Sequence, residues 1–197
     1  MKRIGIIAAQ GDISEHIEAV DQAFRAMGIK GKGIPVRSKS ALDTVHGVIL
    51  PGGESTAISK LLVRFGLHDE LILRVEDGMP IMGTCAGSIL LARRGGWEVE
   101  RTNTKLLGLM DMRVNRNAFG RQRESFQAKI SIQGLADPFE AVFIRAPAIE
   151  DVREKCKTLA TVEDRIVMAR QDARFAITFH PELTPDVRLH AMLISEL

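Results

Sequence analysis

The sequence predicts an α/β fold of three layers, a mixed and mostly parallel sheet with helices on both faces. Three observations carry that expectation. Through the first half, short apolar runs alternate with segments of helical spacing, the rhythm of successive β-α units. Those runs are apolar throughout, as strands covered on both faces must be. Later runs are shorter and more polar in alternation, which suits antiparallel pairing. A chain of 197 residues suffices for one domain with a sizeable core, and no internal repeat or low-complexity linker divides it.

Arg3 to Ala9 reads as the first strand, and Gln10-Gly11-Asp12 as the turn after it. A helix follows to about Met27, with Ile17, Val20, Ala23, Phe24 and Met27 at helical spacing. Asp12 or Ser14 is its expected cap, and Gly28 closes it. Ile29 to Pro35 is a glycine-interrupted second strand, residues 40–44 a short turn or helix, and Val45 to Leu50 a third strand. That strand ends at Pro51-Gly52-Gly53-Glu54-Ser55-Thr56, after which helical spacing returns over 57–62 and 67–75. Arg93-Arg94-Gly95-Gly96 stops the next helix. Strands are expected over 106–116, 126–132 and 141–144, then a meander over 159–162, 166–170 and 173–179 with turns at Glu163-Asp164 and Gln171-Asp172. A last helix is expected to open at Thr184 or Pro185.

Composition excludes several classes of function. The chain is 45% hydrophobic and 26% charged, with 27 basic and 25 acidic side chains and a formal net charge of +2, which gives no case for nucleic acid. No apolar run reaches membrane-spanning length, and the six weakly hydrophobic residues after Met1-Lys2-Arg3 are too few for a signal peptide. The cytoplasm is therefore the expected location, with no membrane partner. Two cysteines make no disulfide framework, and Cys156 sits incidentally in the charged run 152–157. No histidines share metal-ligand spacing and there is no Cys-x-x-Cys, so zinc or redox chemistry lacks its ligands and no cofactor is called for.

Chemistry gathers at strand ends, where open α/β sheets bind their ligands and where Gln10, Gly52 to Ser55 and Cys85 all fall. Met79-Pro80-Ile81-Met82-Gly83-Thr84-Cys85-Ala86-Gly87 reads as strand, sharp turn and helix start, the elbow that lifts a nucleophile clear of a sheet. Helix-start amides beside Cys85 favour its thiolate, although free cysteines are also commonly packed and inert. His180 follows another apolar strand, and an imidazole next to a thiol stabilises thiolate and protonates a leaving group. Glu182, two residues on, is placed to accept the second ring proton, with Pro181 stiffening the link. A plain loop capping the last helix is the competing reading of His-Pro-Glu. His16, His46, His68 and His190 fall on helices or a strand start, where packed or solvated roles are expected.

Gly83-Thr84-Cys85-Ala86-Gly87 together with His180-Pro181-Glu182 resembles the class I glutamine amidotransferase family, Cys-His-Glu hydrolases on a flavodoxin-like sheet. More narrowly, the chain resembles the glutaminase subunits of pyridoxal 5'-phosphate synthases. The motifs are Ala9-Gln10-Gly11-Asp12 with Glu15-His16, residues 50–56, residues 116–122, Phe143-Ile144-Arg145-Ala146-Pro147, and residues 178–184, so the likeness spans nearly the whole chain. It implies glutamine as substrate and Cys85, His180 and Glu182 as the catalytic set. The oxyanion donors would be the Gly53 and Ala86 amides, and glutamine would be held by Gly53, Glu54, Ser55, Arg116, Ile144 and Arg145. It also implies a separate synthase subunit as partner, since no sugar-phosphate site or Schiff-base lysine is evident in this chain. The family often carries an acidic residue just before the arginine matching Arg116, whereas this chain has Asn115. A cysteine peptidase on a related sheet and a non-catalytic regulatory subunit are the alternatives from other classes.

Overall fold

The computed structural model describes residues 1–116 and 125–197. The first β-α units form as expected. β1 (Lys2–Ile7), β2 (Gly31–Val36), β3 (Gly47–Leu50) and β4 (Ile81–Thr84) are joined by α1 (Ile13–Ala26), α2 (Lys39–Leu42), α3 (Ser55–Arg64) and α4 (His68–Glu76). α5 (Ala86–Leu91) leaves β4 directly and ends in β5 (Ala92–Gly95), followed by α6 (Trp97–Arg101) and β6 (Met110–Asn115). Next come β7 (Ser125–Ile130), β8 (Phe139–Ile144), β9 (Ala148–Val152), β10 (Lys157–Val162), β11 (Arg165–Gln171) and β12 (Arg174–Ile177). A 3-10 turn, Pro181–Leu183, and α7 (Arg188–Ile194) complete the chain.

The main sheet runs β2-β1-β3-β4-β12-β11-β9-β6-β5, with β10 on β11. From β2 to β12 every pairing is parallel, whereas β11 pairs antiparallel with β12, β9 and β10. Alternation along the central strands sends side chains into two cores. Ile7, Val48, Leu50, Ile81 and Ala176 pack with Leu62, Leu71 and Leu90 of α3, α4 and α5 on one face. Ile4, Ile6, Ile49, Met82 and Phe175 pack with Val20 and Phe24 of α1 and Leu189 and Leu193 of α7 on the other. These layers are the predicted ones, and fully burying each such side chain stabilises the fold by roughly 1.5–3 kcal/mol.

Several local expectations are corrected. The run Arg93-Arg94-Gly95 does end the helix, but it continues as strand β5, paired parallel to β6, with Arg94 3.1 Å from Asp151. α6 and β9 carried no apolar periodicity strong enough to read. β9 exposes Glu150 and half-exposes Asp151 while burying Ile149, and Glu150 pairs with Arg113 at 3.0 Å. β7 and β8 form a separate ribbon rather than joining the sheet, with Phe126 stacked on Phe143 at 4.5 Å. α7 opens at Arg188, not at Thr184 or Pro185: the Asp186 carboxylate accepts the Arg188 amide at 3.1 Å, and Thr184 is extended. Neither Asp12 nor Ser14 caps α1 through its side chain: Asp12 is the N-cap residue but makes no such bond, and the Ser14 hydroxyl donates to Glu15 at 2.9 Å.

Candidate active site

Cys85 is the single residue between β4 and α5. Its backbone lies at φ 47° and ψ −110°, a conformation that costs a residue with a side chain roughly 1–3 kcal/mol. The sharp bend depends on close backbone approach. A Cβ on Gly87 would stand 1.9 Å from the Leu50 carbonyl oxygen, and one on Gly83 would stand 2.6 Å from the Gly87 carbonyl. The Cys85 amide donates to the Ile177 carbonyl at 2.8 Å, tying the elbow to β12. Its thiol is nearly buried, with Sγ 4.0 Å from the Ile144 carbonyl oxygen.

β12 lies beside β4 in parallel, with Ile177 opposite Thr84, so the two chains leave the sheet side by side. This adjacency brings His180 to Cys85: a Cβ on Gly52 would stand 2.9 Å from the His180 ring and 3.3 Å from the Cys85 Cβ. Nδ1 of His180 donates to Oε1 of Glu182 at 2.7 Å, and both residues are buried. Asp12 stands further off, its Oδ2 3.8 Å from the same nitrogen. Burial alone would lower the His180 pKa, but the bonds to Cys85 and Glu182 and their negative charges outweigh it and push the value up to about 10. Cys156 is also buried, far from any such partner, and burial with Asp111 nearby pushes its thiol up to about 11.

A small cavity of about 90 Å³ opens in front of Cys85, lined by Gly53, Glu54, Ser55, Ala86, Arg116 and Arg145 together with Ile89 and Pro147. The structure thus brings together all the expected binding positions except the Ile144 side chain, which is 40% exposed and reaches the site only through its carbonyl. Arg116 is seated by the hydroxyls of Ser55, Thr56 and Thr104, the latter two at 3.1 and 3.2 Å. Asn115, at the family's acidic position, donates to Glu150 at 3.0 Å and leaves Arg116 to the cleft. The rest of that motif, residues 117–122, lies outside the described residues. Glu54 caps α3 by accepting the amides of Thr56 and Ala57 at 2.9 and 2.7 Å. Burial works against its ionised form, yet those bonds and Arg116 hold its pKa below the ordinary carboxylate value.

Gly53, at φ 133°, rests on Gln10, whose Oε1 accepts the Glu54 amide at 2.9 Å. The Gln10-Gly11 loop lies directly on the Pro51-Gly52 turn, since a Cβ on Gly11 would meet the Gly52 carbonyl oxygen at 2.2 Å. Sequence reasoning missed the hydroxyl seat of Arg116 at Thr56, in the first turn of α3, and Thr104, after α6, because a lone threonine carries no signal for a distant arginine partner. It gave His16 and His190 a packed or solvated role; both are fully buried behind Glu182, and what the sequence did not show is that their rings contact each other and the carboxylate.

Known proteins resemble this chain over nearly its whole length. Over 195 residues, 99% of this chain and 98% of the relative, the sequence is 48% identical to "Pyridoxal 5'-phosphate synthase subunit PdxT" of Methanococcoides burtonii. It is 50% identical over 188 residues to the protein of that name in Methanocella arvoryzae, covering 95% of this chain and 93% of that one. A crystal structure of a glutamine amidotransferase superposes with a TM-score of 0.86 at 41% identity, over 98% of this chain and 97% of the other. The SNO glutamine amidotransferase family model matches residues 6–197. With elbow, histidine and cleft at the same sheet edge, the chain belongs to the SNO glutamine amidotransferase family.

Proposed function

We propose that this chain hydrolyses L-glutamine to L-glutamate and ammonia, and delivers the ammonia to a synthase subunit that builds pyridoxal 5'-phosphate. The observation that carries the reading is the meeting of Cys85 with His180, itself hydrogen-bonded to Glu182, at the mouth of the cleft in front of Arg116. A protonated His180 supplies the counter-charge that a Cys85 thiolate needs. The thiolate attacks the side-chain amide carbon of glutamine, and the carbonyl oxygen becomes an oxyanion. Ala86 is the first residue of α5, so its amide has no intrahelical acceptor and is one donor to that oxygen. The Gly53 amide, on the turn that lines the same cleft, is the other.

His180 then gives its proton to the departing nitrogen, releasing ammonia and leaving a thioester on Cys85. Neutral His180 takes a proton from water, the resulting hydroxide attacks the thioester, and glutamate leaves as the thiolate is restored. Arg116 faces the α-carboxylate with its planar fork, and Glu54, Ser55 and Arg145 surround the amino-acid end. Names of the relatives support a separate synthase partner, working with this chain in the cytoplasm. A chloroketone analogue of glutamine tests the assignment. It should alkylate Cys85 stoichiometrically, with glutamine protecting the thiol; labelling elsewhere, or labelling that glutamine leaves unaffected, would overturn the proposal.

A further inference from the structure

Behind Glu182, on the side away from Cys85, four buried polar side chains from four elements meet. His16 comes from α1, Thr84 from the end of β4, His190 from α7 and Glu182 from the 3-10 turn. His16, Thr84 and His190 have no exposed surface at all. Nε2 of His16 is 3.4 Å from Oε2 of Glu182 and 3.2 Å from Oγ1 of Thr84, while its Nδ1 is 3.2 Å from Nε2 of His190. Oε1 of Glu182 is already held by His180, whereas Oε2 is buried without a hydrogen-bond partner, the His16 ring standing just short of one.

We propose that His16 is a positioning residue for the catalytic histidine: as a neutral imidazole it donates its Nε2–H to Oε2 of Glu182, in a tautomer fixed by His190. The proposal rests on the reading of Glu182 as the group that orients His180. Its ground is a count of protons. A carboxylate accepts only, and a neutral imidazole has one N–H and one lone pair. If the His16 proton is on Nε2, it meets the carboxylate, with Thr84 as a second acceptor. Nδ1 of His16 then accepts Nε2–H from His190, and the only ring atom left without a partner is the His190 Nδ1 lone pair; that atom and Oε2 of Glu182 are the two of this cluster found buried without a hydrogen-bond partner, and Oε2 is the one that the His16 N–H, 3.4 Å away, satisfies with a small shift. If the proton is on Nδ1 instead, His190 must carry a buried N–H that meets nothing, and the charged Oε2 is left without a donor. A buried charged oxygen with no donor is the costliest of these defects, so the first arrangement is the stable one.

Both rings stay neutral at physiological pH. Burial, with His190 and His180 nearby, drives the His16 pKa well below its ordinary value, and burial brings His190 down to about 4. No second imidazolium therefore competes with His180 for the Glu182 charge. With a donor on each oxygen, the carboxylate plane cannot swing, and Oε1 stays on Nδ1 of His180. Freed on one side it would rotate, and small misplacements of catalytic groups are expensive in rate.

The experiment measures glutamine hydrolysis by the full chain saturated with its synthase subunit, for wild type, His16→Leu, His16→Gln and Cys85→Ala. Leucine fills the space without a donor, whereas the glutamine amide nitrogen reaches the position of Nε2. The expected result is a kcat lower by roughly ten- to a hundredfold in His16→Leu, a KM for glutamine within about twofold of wild type, and recovery of most of the loss in His16→Gln. Long-range 1H–15N spectra of wild type should show His16 protonated on Nε2. Equal rates in the Leu and Gln variants, whether both normal or both impaired, would reduce His16 to packing and overturn the proposal, as would a proton on Nδ1. The spectrum decides the matter even if His16→Leu does not fold. Activity surviving in Cys85→Ala would instead remove the active-site assignment itself, a failure distinct from that of His16.

Discussion

Replacing Glu182 by glutamine removes one buried charge and keeps the shape of the side chain. His180 Nδ1 retains an acceptor, because the amide oxygen can take the place of Oε1 at 2.7 Å. The electrostatic support of the imidazolium is what disappears. The rise of the His180 pKa from 6.5 to about 10, achieved against burial, corresponds to roughly 5 kcal/mol in favour of the protonated ring. Cys85 and Glu182 share that effect, and a hydrogen bond to a charged group is worth roughly 1.5–3 kcal/mol, about 2 kcal/mol at its centre. Lost from the steps in which His180 carries the proton, this predicts a kcat lower by roughly thirtyfold. The variant should therefore lie between wild type and Cys85→Ala, which removes the nucleophile outright. Its amide nitrogen would face His16, so some stability should be lost as well, read from thermal unfolding and not from kcat. Ammonia release by the synthase complex, with kcat and KM separated over about pH 6 to 8, is the assay. A kcat within about threefold of wild type across that range would show that the carboxylate is structural and that the electrostatic account is mistaken.

Arg116→Met should raise the KM for glutamine by roughly ten- to a hundredfold with little change in kcat, since a charge-assisted carboxylate contact is lost; an unchanged KM would place the substrate carboxylate elsewhere. The folded-state pKa values of His16 and His190 lie below 6.5, so the unfolded chain binds protons that the folded chain refuses. Stability from this source is complete above about pH 6.5 and falls as pH drops toward about 4, by roughly 3 kcal/mol for His190. Thermal unfolding that stays constant from neutral pH down to about 4.5, or a His190→Leu variant with the same acid sensitivity as wild type, would contradict it. Turnover by the isolated chain should rise by roughly 10²- to 10³-fold on saturation with synthase, the effect of one oxyanion donor brought into place. Equal turnover numbers in both states would refute completion of the site by the partner.

Sequence alone determined what short-range physics encodes. The β-α rhythm of the first half follows from apolar runs and helical spacing, and the Cys85 elbow from two glycines that alone allow backbone to approach within contact of backbone. His180 and Glu182, two residues apart across a proline, were legible as a hydrogen-bonded pair because their spacing is local. Tertiary structure decided which strand ends meet. Cys85 and His180 share a site because β12 inserts beside β4, with Ile177 opposite Thr84, and strand order is a result of packing over the whole sheet, not of any window of residues. For the same reason the charged strand β9 was invisible: its pairing with β6 and the Arg113–Glu150 ion pair override a pattern that reads as loop. The buried histidines show the limit most plainly. Residues 16 and 190 read as packed or solvated members of helices until α1 and α7 close over the back of Glu182, and only that closure gives their ring protons a destination.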